Sequence, residues 1–141
     1  MIKRLLQLHP NEIFVKLFVI LLAGLGLVRS LNWISARTKT LKHVSDLYVK
    51  MSKYMDIDTV GWLLFLFSIV LFLSAFFDNI TGYILLIVGS VPCGIIHIAF
   101  GMISVESANV FSTYYINMLI GFIQILVAIN GAFSIWKIKN L

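Results

Sequence analysis

Charged residues are scarce in this sequence: they make up 12% of its 141 residues, and only six residues are acidic. Hydrophobic residues make up 60% of the chain. A soluble domain of this length needs more polar surface than this composition supplies, whereas lipid contacts the apolar exterior of a helical membrane protein. The composition therefore excludes an ordinary soluble domain. It predicts one membrane domain over residues 1–141, without a separate soluble enzyme domain.

Cysteine occurs once, at Cys93, so no intrachain disulfide is expected. Cys93 and His97 are four residues apart, a spacing that metal sites use, but the predicted spans hold no further Cys, His, Asp or Glu. Catalysis by a Cys93 nucleophile would also require an orienting acid and an oxyanion site. We therefore expect no catalytic residue, no bound metal and no cofactor, and we expect that the protein is not an enzyme.

The net charge of +5 comes from Lys and Arg near the ends of apolar runs and in one loop, the distribution typical of membrane proteins. No basic face with interleaved aromatic residues lies outside these runs, so we expect no nucleic-acid partner. The positive-inside rule almost ties between Lys3, Arg4, Lys137 and Lys139 at the termini and Arg37, Lys39, Lys42, Lys50 and Lys53 in the first loop. We predict cytoplasmic termini because both termini agree, with dual insertion as the alternative.

Four apolar runs are long enough to cross a bilayer, which takes about 20 helical residues. We predict an all-α integral membrane protein with spans at about 13–34, 59–77, 82–104 and 114–137. Arg29 and Trp33, near the end of the first span, form a pair typical of an interfacial anchor. The second span is rich in Phe and Leu, and we expect much of it to contact lipid.

The polar loop at residues 35–58 is predicted to form a basic amphipathic helix at about 38–56, because its apolar residues recur with helical spacing. Three interpretations stay open. The helix lies on anionic headgroups, packs on a second subunit or another protein, or folds over the protein's own bundle. The residues predicted to contact the membrane surface or a partner are Lys42, Tyr48, Lys50, Met51 and Lys53.

The third and fourth spans each carry a stripe of small and polar residues in alternating steps of 4 and 3. Such a stripe allows two transmembrane helices to approach closely. We predict that these spans pack on each other, or across a subunit interface, through a helix-packing seam. The seam residues are Ser90, Gly94, His97, Gly101, Gly121, Gln124, Ala128 and Gly131.

His97, Asn117 and Gln124 are predicted to form a polar core or to line a pore. Polar side chains between transmembrane helices often only hold the helices together, so a His97 bonded to one of the amides is the simplest interpretation. A coupled transporter would usually carry an acidic residue at this depth, and the chain is short for two inverted repeats. A homo-oligomer can nevertheless build a narrow polar pore from such stripes.

These patterns predict a non-enzymatic, homo-oligomeric protein of the lipid bilayer that acts as a sensor, effector or pore-type subunit. The alternatives are an accessory or scaffold subunit that recruits a protein partner through the 35–58 loop, and a small transporter or membrane enzyme. Four short spans with a basic amphipathic loop resemble, in outline, small membrane proteins of phages, prophages and antiphage defence systems. That resemblance implies the inner (cytoplasmic) membrane of a bacterial cell.

Overall fold

The structure is a computed structural model, and it describes residues 10–35, 46–105 and 112–140. Within these ranges the chain forms five α-helices and no strand. They are α1 (Pro10–Ser35), α2 (Asp46–Tyr54), α3 (Ile57–Ser74), α4 (Ile80–Ser104) and α5 (Ser112–Asn140). All except α2 are long and apolar enough to cross a membrane. The predicted all-α membrane fold is confirmed.

Capping side chains explain why two of these helices begin before the predicted spans. Asp56 accepts a hydrogen bond from the Thr59 amide at 3.0 Å, and α3 therefore starts at Ile57. Asn79 does the same for the Gly82 amide at 3.1 Å, at the start of α4. A capping acceptor satisfies amides that the first turn leaves without intrahelical partners. The residue after each cap is therefore already helical.

The transmembrane helices pack in the spatial order α1, α3, α4, α5, with α1 and α5 at the outside. The Phe- and Leu-rich α3 therefore lies between α1 and α4, and it still exposes Trp62, Leu63, Leu66 and Leu73 on its outer side, as expected for a span that contacts lipid. Its buried face carries Leu64, Ser68 and Leu71, all fully buried. A Cβ added at Gly26 of α1 would clash with Ser68 Oγ, so small residues bring α1 and α3 close together.

The short helix α2 packs on the protein's own bundle. Its apolar residues Leu47 and Met51 are buried with Trp33 of α1, Ile57 of α3 and Phe100 of α4. Of the three interpretations of the loop, this position corresponds to the fold-over arrangement. The predicted helix started at about residue 38, and residues 36–45, including Lys42, lie outside the described residues.

The bundle is apolar outside and carries its polar side chains inside. Large apolar side chains cover its outer faces, such as Phe14 at 71% exposure and Phe133 at 65%. In a bilayer, lipid covers these faces. The buried polar residues are Ser30, Ser68, Ser74, Ser90, His97, Ser104, Asn117 and Gln124. The buried polar side chains of the spans are therefore the groups to consider for a functional site.

Candidate functional site

The backbones of α4 and α5 approach closely at Gly94 and Gly121. A Cβ added at Gly121 would lie 2.9 Å from the Gly94 carbonyl oxygen and 2.5 Å from Cγ1 of Ile98. A Cβ added at Gly94 would lie 3.1 Å from the Gly121 carbonyl oxygen. Only glycine leaves room for this approach.

All eight predicted seam residues are buried within the helix bundle of one chain. Gly101 faces Met118 of α5, and Gly131 faces Ile87 of α4, with 3.1 Å to an added Cβ in each case. The remaining seam residues are buried on the same two helices: they are Ser90, His97, Gln124 and Ala128. None of the eight is therefore available to another subunit while α4 and α5 stay packed.

Gln124 is the polar residue of this interface with the least satisfied side chain. It is fully buried, and neither its amide nitrogen nor its amide oxygen has a hydrogen-bond partner among the described residues. The His97 ring lies close enough to interact with the Gln124 amide, but Nδ1 of that ring is engaged 2.8 Å from the Cys93 carbonyl oxygen. The expected His97–Gln124 pairing is therefore present as a side-chain interaction between the two residues, in which neither polar atom of the Gln124 amide reaches full hydrogen-bond geometry.

Asn117 has a hydrogen-bond partner for one of its two side-chain polar atoms among the described residues. Its side-chain NH2 donates to the Thr113 carbonyl one turn earlier in α5. Its side-chain oxygen is buried and has no partner among the described residues. The predicted polar core thus consists of a ring and two amides whose hydrogen-bonding capacity exceeds what the bundle supplies.

Four of the five buried serines that the structure describes differ from Gln124 because their hydroxyls donate to carbonyls of their own helices. Ser30 donates to the Leu27 carbonyl at 2.8 Å and Ser104 to the Gly101 carbonyl at 2.7 Å. Ser68 and Cys93 form a sulfur contact of 3.6 Å between α3 and α4. Such local bonding satisfies a hydroxyl in an apolar surrounding. Among the described residues, the buried polar atoms that lack a hydrogen-bond partner therefore belong to the larger side chains Arg29, Asn117 and Gln124.

Arg29 extends the polar core toward α2. Its guanidinium carbon lies 5.0 Å from the centroid of the Phe100 ring, a cation–π distance. It also interacts electrostatically with Tyr48 and His97. Its Nη1 is buried without a hydrogen-bond partner, and no carboxylate among the described residues pairs with it. An ionisable residue inside a span is a functional-site hypothesis by default.

Arg29 and Trp33, which the sequence predicts to form an interfacial anchor, lie elsewhere in the structure. Trp33 is 1% exposed and packs on Phe100 with ring centroids 5.2 Å apart. Both residues therefore face the bundle interior. The signal that would have pointed inward is the position of Arg29, six residues before α1 ends, or about 9 Å along the helix.

The packing of α2 buries some of the residues predicted to contact the membrane surface or a partner and leaves others exposed. Met51 is 0% exposed, and Tyr48 is half-buried beside Phe100, so Met51 reaches neither lipid nor a partner while α2 stays docked. Lys53 is exposed and Lys50 half-buried. Lys42 lies outside the described residues.

The arrangement of these side chains supplies hydrogen-bond donors and acceptors and one cation to the interior of the bundle. Among the described residues, no three His, Cys, Asp or Glu side chains come together in a group that fits a metal ion. Comparison of the chain with protein-family models, curated proteins and solved structures finds no match.

Proposed function

We propose that this protein is a non-enzymatic membrane sensor or effector whose α4–α5 interface alternates between a dry, packed state and a hydrated, opened state. The observation that carries the proposal is the fully buried Gln124 amide, neither of whose polar atoms has a partner with full hydrogen-bond geometry among the described residues. Buried polar groups in native proteins nearly always have a partner, and exceptions call for an explanation such as water or a second state.

Opposing contributions of similar size support a two-state interface. The glycine contacts favour the packed state through close van der Waals packing. A buried polar group without a partner costs about 1–3 kcal/mol, and Gln124 and Asn117 both carry such groups. Water entering between the helices removes this cost. The two states then differ by only a few kcal/mol, a gap that a ligand or a membrane perturbation can shift.

The same geometry favours a switching element over a permanently open pore. His97 and Gln124 lie inside one chain, so a path along them requires α4 and α5 to separate. Assembly of subunits alone does not expose these residues. A pore and a homo-oligomer stay predictions, and both would use the opened state or the outer faces of the bundle.

Hydrogen exchange of the protein in lipid nanodiscs tests the proposal. The comparison is between the wild type, Gln124→Leu and Phe122→Leu, which is a control on the exposed side of α5. Leucine removes the unmet amide, so we expect slower exchange around Gly94 and Gly121 in Gln124→Leu and unchanged exchange in the control. Equal or faster exchange in Gln124→Leu contradicts the proposal.

A second candidate function is an accessory subunit that binds a partner through α2. Its support is the exposed side of this helix: Tyr54 is 77% exposed and Val49 is 36% exposed, beside the exposed Lys53. Cross-linking in cells with wild type and with the double variant Lys53→Glu/Tyr54→Ala tests this function. A cross-linked partner that is lost in the variant supports it, and the same partners in both argue against it.

A further inference from the structure

An apolar groove lies between α1 and α5, the two helices at the ends of the packing order. Its volume is about 610 Å³, within the range of sites that hold small molecules. Phe14 and Phe18 line it from α1, Ile123 and Leu126 from α5, and Leu86 from α4. The groove is open at the outer surface of the bundle, where acyl chains lie in a bilayer.

A second cavity, of about 470 Å³, lies toward the end of the bundle where α1 begins. Val15, Val19 and Leu86 line both cavities, so the two lie side by side. Unlike the groove, the second cavity has a charged rim, and we call it the mouth. Its charged residues are Glu12, Lys16 and Asp78.

The mouth contains charges of both signs. Lys16 Nζ lies 2.5 Å from Asp78 Oδ1, and the Asp78 side chain is 66% exposed. Glu12 adds a second carboxylate in the first turn of α1. One ammonium and two carboxylates therefore line the place where the apolar groove reaches the polar end of the bundle.

We propose that the groove and mouth bind a phospholipid with a primary ammonium in its headgroup, a phosphoethanolamine lipid. One acyl chain occupies the groove, the phosphate contacts Lys16, and the ammonium contacts Asp78 and Glu12. A primary ammonium has three N–H donors for carboxylates, whereas a choline headgroup has none. Among the described residues, a headgroup with net negative charge would face two carboxylates and one ammonium, so it fits less well.

Native mass spectrometry tests the proposal on protein released from detergent with equal amounts of ethanolamine, choline and glycerol phospholipids of matched chains. We expect the wild type to retain the ethanolamine lipid severalfold over the other two. Asp78→Asn should remove that preference, and Asp78→Glu should keep it because the carboxylate remains. Equal retention of the three lipids by wild type, or an unchanged preference in Asp78→Asn, overturns the headgroup assignment.

A second pair of variants tests the groove itself. Leu126→Trp places a bulky side chain in the groove, and Leu119→Trp places one at a similarly exposed position of α5 that does not line it; Leu126 is 62% exposed and Leu119 60%. We expect Leu126→Trp to lower retention of all three lipids severalfold and Leu119→Trp to retain them like the wild type. Equal retention by both variants shows that the lipids bind elsewhere and overturns the proposal.

Discussion

Adding one methyl group at Gly121 should open the close contact between α4 and α5. In Gly121→Ala, the new Cβ would lie 2.9 Å from the Gly94 carbonyl oxygen and 2.5 Å from Ile98 Cγ1. The Ile98 side chain can rotate away, but the carbonyl belongs to the helix backbone. To restore an ordinary contact of 3.4 Å, α4 and α5 must separate by about half an ångström.

The cost of this separation outweighs the gain in helix propensity. Overpacking of a close contact costs about 1–3 kcal/mol, while alanine is favoured over glycine in a helix by at most about 1 kcal/mol. We therefore expect a net loss of about 1–2 kcal/mol in the free energy of unfolding. Gly24→Ala is the matched control, because nothing lies within 4 Å of a Cβ at Gly24, and it should be neutral or slightly stabilising.

The labelling rate of Cys93 by a maleimide reports this difference. Cys93 is the only cysteine and is 0% exposed, so its thiol reacts only when the bundle opens. A loss of 1–2 kcal/mol raises the open fraction, and hence the rate, about 5- to 30-fold. If Gly121→Ala labels no faster than Gly24→Ala in the same detergent, the close contact between α4 and α5 does not stabilise the fold.

Further variants test other parts of the structure by the same labelling assay. Met51→Ala should cost about 2–5 kcal/mol because it leaves a cavity under α2, whereas Val49→Ala on the exposed side should cost little; equal effects would show that α2 is not docked. Gln124→Leu should be neutral or stabilising, because it removes unpaired polar atoms, and faster labelling would show that the amide has a partner. Asp56→Ala should cost about 0.5–2 kcal/mol through loss of the α3 cap, and no change in labelling would mean that the cap is dispensable.

The membrane fold was predictable because its signal depends on length and composition. Four long apolar runs give four helices, since a backbone in lipid must satisfy its hydrogen bonds internally. The caps at Asp56 and Asn79 are residue types that favour a helix start, although the predicted spans began two or more residues later. The stripe of small residues was also readable, and the structure places Gly94 directly against Gly121.

Which apolar residues face lipid was not predictable, because a membrane protein is apolar both outside and in its core. Leu71 and Leu66 of α3 look alike in the sequence, yet Leu71 is fully buried and Leu66 is 56% exposed. The same ambiguity hid the inward positions of Arg29 and Trp33. The apolar face of α2 posed a similar problem, since lipid, a partner and the protein's own bundle all offer it an apolar surface.

Water contact at the Gln124 side chain tests the central claim most directly. The chain has two glutamines, Gln7 and Gln124, so Gln7→Asn with ¹⁵N-glutamine leaves the Gln124 side-chain amide as the one glutamine side-chain signal. Solid-state NMR of this protein in lipid bilayers can follow polarisation transfer from water protons to that amide. A hydrated, opened state predicts transfer to the Gln124 side-chain amide well above that to the labelled backbone amide of the same residue, which lies inside helix α5. Transfer to the side chain no faster than to that backbone amide would mean that the core stays dry, which contradicts the proposed switch.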